Sequence, residues 1–258
     1  MLPRRLARER RYPSRVLTLA TVHADPELDA ELSGVADRLA VALDDGDIEE
    51  GRQVFAQGLV AARSAEAGPL VLAAEPAEAV HDALAEHAAL TLQRELLQLR
   101  RQLPVSRHAT IAVRAFRPGI DDAAWLAVNN RAFAWHPDQG GWSAAELRSK
   151  TAEPWFDPRG FLLHEIDGRL AGFCWTKVHR DVEPALGEIF VIAVDPNHHG
   201  HGLGEQLTVA GLDWLADQGL EVAMLYVEAD NKPARSLYEQ LGFEVHHAKR
   251  WWVTEANS

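Results

Sequence analysis

The sequence contains a single cysteine, Cys174, among its 258 residues. One thiol excludes an internal disulfide framework and fits a reducing compartment. Cys174 lies in the apolar, strand-like run 171–175. This setting predicts that the thiol fills core space and is not a nucleophile.

Long apolar runs and positive charge are also scarce. No uninterrupted stretch approaches the ~20 apolar residues that a membrane span needs. The chain has 26 Lys and Arg against 38 Asp and Glu, a formal net charge of -12, which argues against nucleic acid or an anionic membrane as the principal partner. The basic residues 4–11 are not followed by an apolar run of signal length. We therefore expect a cytoplasmic, monomeric protein.

The most informative stretch is 187–205. Residues 188–194 are β-branched, aromatic and apolar on both faces, as in a buried strand. An Asp-Pro pair ends this strand, and helical spacing begins after three glycines at alternate positions, Gly200, Gly202 and Gly204. A glycine loop that opens a helix gathers backbone N–H groups at one point, where the helix dipole adds partial positive charge. The pattern predicts a phosphate cradle, with an ordinary tight turn as the alternative. It contains neither G-x-G-x-x-G nor Gly-Lys-Ser/Thr.

This loop resembles the acyl-CoA pyrophosphate loop of the GNAT superfamily of N-acetyltransferases, whose pattern is Q/R-x-x-G-x-G/A. His199 stands where the superfamily has Gln or Arg. A second block, 230–243, is similar to the superfamily's N-x-x-A-x-x-L-Y-E-x-x-G-F helix, with Asn231 as N-cap and Gly242 as the stop. The resemblance implies a GNAT acetyltransferase fold of the α/β (α+β) class, with a mixed central sheet flanked by helices.

Further motifs resemble the C-terminal domain found in the mycothiol synthase family, whose members are tandem GNAT proteins. These motifs lie at 116–119, 129–133, 136–140, 153–158, 172–179 and 225–231. The resemblance implies acetyl-CoA-dependent acetylation of the cysteinyl amine of a cysteine-glucosamine-inositol conjugate (desacetylmycothiol) to give mycothiol. It covers nearly all of 111–252, but only the last third of 1–110. We therefore predict a degenerate GNAT-like domain lacking a cofactor loop at 1–110 and a catalytic domain at 111–258.

Local patterns also predict individual elements. Strands are expected at 16–22, 70–73, 111–116 and 188–194, helices at 29–43, 48–63, 75–89, 121–133 and 143–151, a strand or short helix at 94–103, a linker at 104–108, a hairpin at 160–178 around Asp167-Gly168, and a terminal strand containing Trp251 and Trp252. The pair Ser143 and Glu146 has the spacing of a capping box.

Two residues are candidates for acid–base chemistry. An amine must lose a proton before it attacks a thioester, and a carboxylate with a raised pKa is a suitable base. Glu188 opens the buried strand beside the glycine loop, so we expect such a raised pKa, although the residue could instead end the strand in solvent. With the resemblance, Glu188 is the base and a substrate contact. Tyr238 occupies the superfamily's general-acid position, and its alternative is simple packing on a helix face.

The resemblance also implies the binding residues. The pantetheine arm would pair with the backbone of Ile192, Ala193 and Val194. The remaining cofactor contacts would be His199, Gly200, His201, Gly202, Leu203, Gly204 and Glu205 for the pyrophosphate, with Asn231, Lys232, Pro233, Ala234, Arg235 and Ser236 for the rest of CoA. Substrate contacts fall on Asp138, Lys177 and Tyr226, and the family has Glu where Asp138 stands.

Other readings stay open at this point. Clustered histidines (His198, His199, His201, His246 and His247) raise the question of a metal, but their spacing lacks the cysteines of structural zinc sites, so we expect none. The acceptor could be another small amine or a protein N-terminus. The short first half also leaves room for a non-catalytic CoA-binding regulatory protein.

Overall fold

A computed structural model describes residues 16–21, 23–134 and 139–255. The chain forms two compact units. The first takes the described residues up to Gln98, then Val227–Lys232 and the residues from Val245 onward, and the second takes Leu99–Tyr226 and Pro233–Glu244. The domain boundary predicted at residue 110 stays a prediction. The basic residues 4–11 and Asp138 lie outside the described residues.

Nine strands and seven helices make up the described part of the chain. In chain order they are β1 (Val16–Ala20), α1 (Pro26–Asp44), α2 (Ile48–Ser64), β2 (Val71–Glu75), α3 (Ala79–His87), β3 (Thr91–Gln102), β4 (Arg114–Ala115), α4 (Asp122–Ala132), α5 (Ala144–Thr151), β5 (Phe161–Ile166), β6 (Arg169–His179), β7 (Leu186–Val194), α6 (Leu203–Asp217), β8 (Val222–Glu228), α7 (Lys232–Gln240) and β9 (Glu244–Val253).

In the first unit, helices α1 to α3 pack on an antiparallel sheet. Strand β2 pairs with β1 and with β9. Side chains of Asp25 and Asp47 accept hydrogen bonds from backbone N–H groups in the first turns of α1 and α2, at 2.9 Å in both cases, as N-caps do. Buried leucines of α1 repeat with helical spacing toward this core, at Leu28, Leu32, Leu39 and Leu43.

One expectation for the first unit needs correction. The helix predicted at 75–89 begins only at Ala79, because Glu75 belongs to β2, where it pairs with Val16 of β1. The segment 94–103 was predicted as a strand or short helix, and the strand is confirmed, since residues 94–102 lie in β3. Trp251 and Trp252 lie in the terminal strand β9 as predicted, paired with β2.

In the second unit, strands β4 to β7 are antiparallel neighbours in chain order, and β7 pairs in parallel with β8. The β5–β6 hairpin turns at Asp167 and Gly168, both at positive φ (52° and 72°), as the Asp-Gly signal predicts. The predicted capping box of α5 is present, since Ser143 and Glu146 exchange side-chain and backbone hydrogen bonds. The arrangement is the mixed sheet flanked by helices that the sequence predicts.

The predicted strand 111–116 is wrong in length, because β4 contains only Arg114 and Ala115. The preceding backbone is hydrogen-bonded to helix α6 instead. The N–H of Ala109 donates to Asp213 (3.2 Å) and the N–H of Thr110 donates to Gln206 (2.7 Å). These donors are therefore satisfied by side chains and not by a neighbouring strand.

Helix α6 packs closely on β6 and β7 through glycines at the contact. A Cβ atom at Gly211 of α6 would lie 2.5 Å from the sulfur of Cys174 and 2.7 Å from Cδ1 of Ile189. On the strands, a Cβ at Gly172 or Gly187 would meet leucine side chains at 2.7 and 2.8 Å. Cys174 is fully buried and fills core space, as predicted.

The opposite face of β5 and β6 carries an aromatic cluster centred on Trp125 of α4. Its ring meets those of Phe161, Phe173 and Trp175 edge-on at 5.3 to 5.9 Å. Phe161 and Trp175 stack at 4.4 Å. All four residues are fully buried, so this cluster forms a packed aromatic core on one face of β5 and β6. None of the helices described is both long and apolar enough to cross a membrane.

Candidate active site

Strands β7 and β8 separate partway along their length. Their parallel register runs from Leu186↔Val222 to Ile189↔Leu225 and, within the described residues, goes no further. Beyond it, Ile192, Ala193 and Val194 keep their antiparallel partners on β6 and are half-buried. Over these three residues, no strand pairing is found within the described residues on the side of β7 that faces away from β6.

A β-bulge marks the start of this separation. The register between β6 and β7 passes from Trp175↔Val191 to Thr176↔Ile189, so Phe190 is an extra residue in β7. Bulges bend a strand and are frequent beside functional sites. The strand-to-face alternation also places Glu188 and Phe190 on the face opposite to α6, since Gly187 and Ile189 contact α6.

Glu188 lies just before the bulge and is buried, with 3% of its surface exposed. Its Oε2 is 2.8 Å from Nε2 of His179, the last residue of β6 and itself 4% exposed. The expectation that Glu188 could end its strand in solvent is therefore wrong. The carboxyl group is held inside the protein against a titratable ring.

Lys177 lies directly opposite Glu188 in the β6–β7 register. Its ammonium nevertheless stands over aromatic rings, 4.7 Å from the ring centre of Trp155 and 6.0 Å from that of Phe190. A cation at such distances is attracted by the ring face. The structure thus brings a half-buried cation, two aromatic rings and the carboxyl group of Glu188 together on one face of the sheet.

The glycine loop follows β7 and opens α6, as predicted. Gly200 and Gly202 have φ values of 82° and 73°, a region in which glycine carries no steric penalty. No described atom lies within 4 Å of where a Cβ would stand at either position. The first N–H groups of any helix lack partners within that helix, and a side chain at Gly200 or Gly202 would stand in open space.

Two side chains shape the loop. His199 bonds through Nε2 to the carbonyl oxygen of Val194 at 3.0 Å, which requires the ring nitrogen to donate. Glu205, in the first turn of α6, forms an ion pair with Arg107. Because Arg107 balances this carboxylate, the helix end can accept a further anion with less repulsion.

Asp195 ties the end of β7 to the glycine loop, a role that the sequence did not predict. It is 3% exposed, pairs with Arg131, and accepts the N–H of Asn197 at 3.0 Å. Burial alone would raise the pKa of Asp195, but the hydrogen bonds from Arg131 and Asn197 hold that pKa below its ordinary value. An Asp-Pro pair after a buried strand was the available signal for this anchor.

Tyr238 of α7 lies on the α6 side of the sheet. It is 7% exposed, and its ring meets that of Phe243 at 5.8 Å. Burial, with a smaller contribution from Cys174, raises the pKa of Tyr238 above its ordinary value. The phenol is therefore protonated at neutral pH and can donate a proton.

The remaining residues predicted to bind substrate or cofactor do not all belong to the same unit. Tyr226 is half-buried on β8, two residues beyond the partner of Glu188. Asn231 and Lys232 fall in the first unit, and their cofactor role stays a prediction, as does the role of Asp138. His179 was missed, although its alternation with Lys177 along β6 places both side chains on one face. Within the described ranges no group of three or more potential metal ligands occurs.

Comparisons with known proteins identify a matching family and similar sequences. Residues 125–243 match the sequence model of the Acetyltransferase (GNAT) family. A mycothiol acetyltransferase from Streptomyces avermitilis is 52% identical over 179 residues, 67% of this chain and 58% of the relative. One from Acidimicrobium ferrooxidans is 54% identical over 175 residues, 65% of this chain and 56% of the relative. The chain thus spans less than two thirds of the length of these curated relatives.

Solved structures show the fold. A GCN5-related N-acetyltransferase from Sphaerobacter thermophilus superposes with a TM-score of 0.61 at 21% identity, covering 83% of this chain and 68% of that one. A tandem GNAT protein from the clavulanic acid biosynthesis pathway gives 0.55 at 18% identity, covering 81% and 70%. The chain has the GNAT fold that the sequence predicts.

Proposed function

We propose that this chain, whose residues 125–243 match the sequence model of the Acetyltransferase (GNAT) family, is an acetyl-CoA-dependent N-acetyltransferase. Its acceptor is the cysteinyl amine of a cysteine-glucosamine-inositol conjugate, and its product is mycothiol. The mycothiol acetyltransferases that share 52% and 54% identity with the aligned parts of this chain support the choice of acceptor.

The observation that carries the proposal is the position of Glu188. This carboxyl group is buried at the point where β7 leaves β8, on the face that also carries Lys177 and two aromatic rings. An acyl acceptor placed there would meet a candidate base directly beside the gap between the strands.

The residues around that gap fit acetyl-CoA. The half-buried backbone of Ile192, Ala193 and Val194 can pair with the amides of a pantetheine arm as an added strand does, and one N–H can polarise the thioester carbonyl. The glycine loop and the start of α6 would hold the pyrophosphate. The start of α7 would hold the rest of CoA, through residues 233–236. Bound acetyl-CoA supplies an activated acetyl group to the site.

The reaction needs one base and one acid. Glu188 takes one proton from the neutral acceptor amine as the amine nitrogen bonds to the acetyl carbon, and the carbon–sulfur bond breaks. Tyr238 gives its phenolic proton to the departing thiolate, and its raised pKa keeps that proton available at neutral pH. The two groups lie on opposite faces of the sheet, which suits a base acting on the acceptor and an acid acting on the leaving group.

The acceptor's hydroxyl groups are assigned to Lys177, Tyr226 and Asp138. Lys177 is held over the rings of Trp155 and Phe190, so its ammonium is positioned before the acceptor arrives. We further propose that the protein works as a cytoplasmic monomer without a metal, which is consistent with its single, buried cysteine.

The test combines purified protein, acetyl-CoA and the conjugate, and follows CoA release together with product mass. Acetylation at the cysteinyl amine is expected. In the Glu188→Gln variant, turnover should fall at least about a hundredfold, since general-base catalysis contributes that much or more, while acetyl-CoA affinity stays unchanged. Glu244→Gln, an exposed glutamate of the same unit, is the matched control and should keep full turnover.

Two outcomes would contradict the proposal in different ways. Full turnover by Glu188→Gln would contradict the assignment of Glu188 as the base, but it would not contradict the proposed substrate. Tight acetyl-CoA binding without any acetylated conjugate would contradict the proposed acceptor but not the proposed cofactor. Other small amines and protein N-termini would then be assayed.

A further inference from the structure

His179 ends β6 beside the candidate base and takes no part in the chemistry described so far. Its ring is 4% exposed, and its Nε2 lies 2.8 Å from Oε2 of Glu188, which is 3% exposed. Both side chains point to the face opposite to α6. A hydrogen bond of this length between two buried side chains is well formed.

The hydrogen bond from His179 to Glu188 does not follow the direct pairing of the two strands. Lys177, and not His179, stands directly opposite Glu188 in the strand register, while His179 pairs with Leu186. The Lys177 ammonium is instead held by the rings of Trp155 and Phe190. The carboxyl group of Glu188 is thus oriented along the strands toward the diagonal histidine.

We propose that His179 is a positioning residue for Glu188, an inference that rests on the proposed role of Glu188 as base. The Nε2–H of His179 donates to Oε2 of Glu188 and fixes the carboxylate in one orientation. A glutamate has three rotatable bonds, and a misplacement of about 1 Å can cost a hundredfold in rate. A carboxylate has acceptor sites on both oxygens, so this bond does not use up its capacity to take a proton.

This arrangement follows the general logic of catalytic groups held by a third residue, in which a base is oriented by a hydrogen bond from behind. Here the base is the carboxylate and the orienting group is the imidazole. A purely structural role would also satisfy two buried polar groups. The difference lies in whether the effect of His179 on turnover passes through Glu188.

The first test does not depend on activity. In protein labelled with ¹⁵N-histidine, the His179 ring signals, assigned by their loss in His179→Gln, should show a protonated Nε2 that is slow to exchange with solvent. The Glu188→Gln variant should alter this signal. An unprotonated Nε2 at neutral pH would overturn the proposed donation from His179.

The second test is a double-mutant cycle on turnover. His179→Leu, which removes the donor, should lower kcat about tenfold to a hundredfold and leave the KM for acetyl-CoA within about threefold. His179→Gln, which keeps an N–H donor, should recover most of kcat. In a Glu188→Gln background, His179→Leu should change kcat less than about threefold, because there is no longer a base to position.

The outcomes separate the two proposals. Equal losses from His179→Leu with and without Glu188 would overturn the positioning role, as would unchanged kcat in His179→Leu. A His179→Leu protein that melts normally and loses kcat alone supports it. Lack of turnover by the unaltered protein on the conjugate would overturn the proposed acceptor, and the cycle would be run on whichever amine the protein acetylates.

Discussion

Replacing Gly211 by alanine tests whether the close approach of α6 to the sheet holds the site together. In a helix interior, alanine is favoured over glycine by about 1 kcal/mol. At Gly211, however, the new Cβ would lie 2.5 Å from the sulfur of Cys174 and 2.7 Å from Cδ1 of Ile189. Ordinary carbon contacts are about 3.5–4.0 Å, so both neighbours must move by about 1 Å.

The two effects have opposite signs, and overpacking is expected to prevail. Both neighbours are buried, Cys174 completely, and forcing extra atoms into a packed core costs about 1–3 kcal/mol. Allowing for the gain in helix propensity, Gly211→Ala should lose up to about 2 kcal/mol, or up to about 8 °C in Tm for a unit of this size. Since α6 begins at the glycine loop, its displacement should also raise the KM for acetyl-CoA.

Gly34 of α1 supplies the matched control. A Cβ there would meet only the Arg38 guanidinium, at 3.7 Å, so Gly34→Ala should gain about 1 kcal/mol from propensity alone. Calorimetry gives both shifts, and amide hydrogen exchange assigns each to its helix. Adding Cys174→Ala to Gly211→Ala should return part of the lost stability. If Gly211→Ala stabilises the protein as Gly34→Ala does, the tight contact is not a constraint.

Two further predictions concern ionisable groups. Tyr238→Phe should lower kcat about a hundredfold with little change in acetyl-CoA affinity. Because burial raises the pKa of Tyr238 in the folded state, the unaltered protein should also lose stability above about pH 10, where an unfolded tyrosine ionises. Calorimetry should find a smaller loss of stability in the variant, and equal losses in the two proteins would contradict the raised pKa. Asp121→Asn should lower the free energy of unfolding by about 2 kcal/mol at pH 7, because hydrogen bonds from Arg117 and Arg114 to the buried Asp121 carboxylate hold its pKa well below the usual range. The stability that the ionised carboxylate contributes is lost as pH falls below about 4 and through the depressed pKa. The difference in Tm between the two proteins should therefore narrow in acid, and a constant difference would refute the ionic origin.

Much of the second unit could be predicted because its signals are local. The capping pair Ser143 and Glu146, the Asp167-Gly168 turn and the alternate glycines from Gly200 each specify structure within a few residues. These signals placed α5, the β5–β6 hairpin and the loop before α6 correctly. Helix and strand ends that depend on distant partners were less predictable.

The errors share one physical cause, which is tertiary contact. Glu75 has helical neighbours in sequence, but it belongs to β2, where it pairs with Val16 and its carboxylate bonds to Lys249 of β9 at 3.0 Å. The bond between His179 and Glu188 likewise joins two strands across a turn. Residue pairs of this kind leave no periodic trace, so composition and spacing could name Glu188 but not the residue that holds it.

The departure at position 199 shows how far a motif can be trusted. Histidine stands where the superfamily has Gln or Arg, and its ring bonds back to the carbonyl of Val194, the last residue of β7. A carbonyl oxygen has two lone pairs, so this bond leaves Val194 able to accept a second donor. The backbone donors of the loop itself are unaffected, because they come from Gly200 onward. The substitution therefore changes how the loop is tied to the strand and leaves unchanged the number of backbone N–H groups that we propose for phosphate binding.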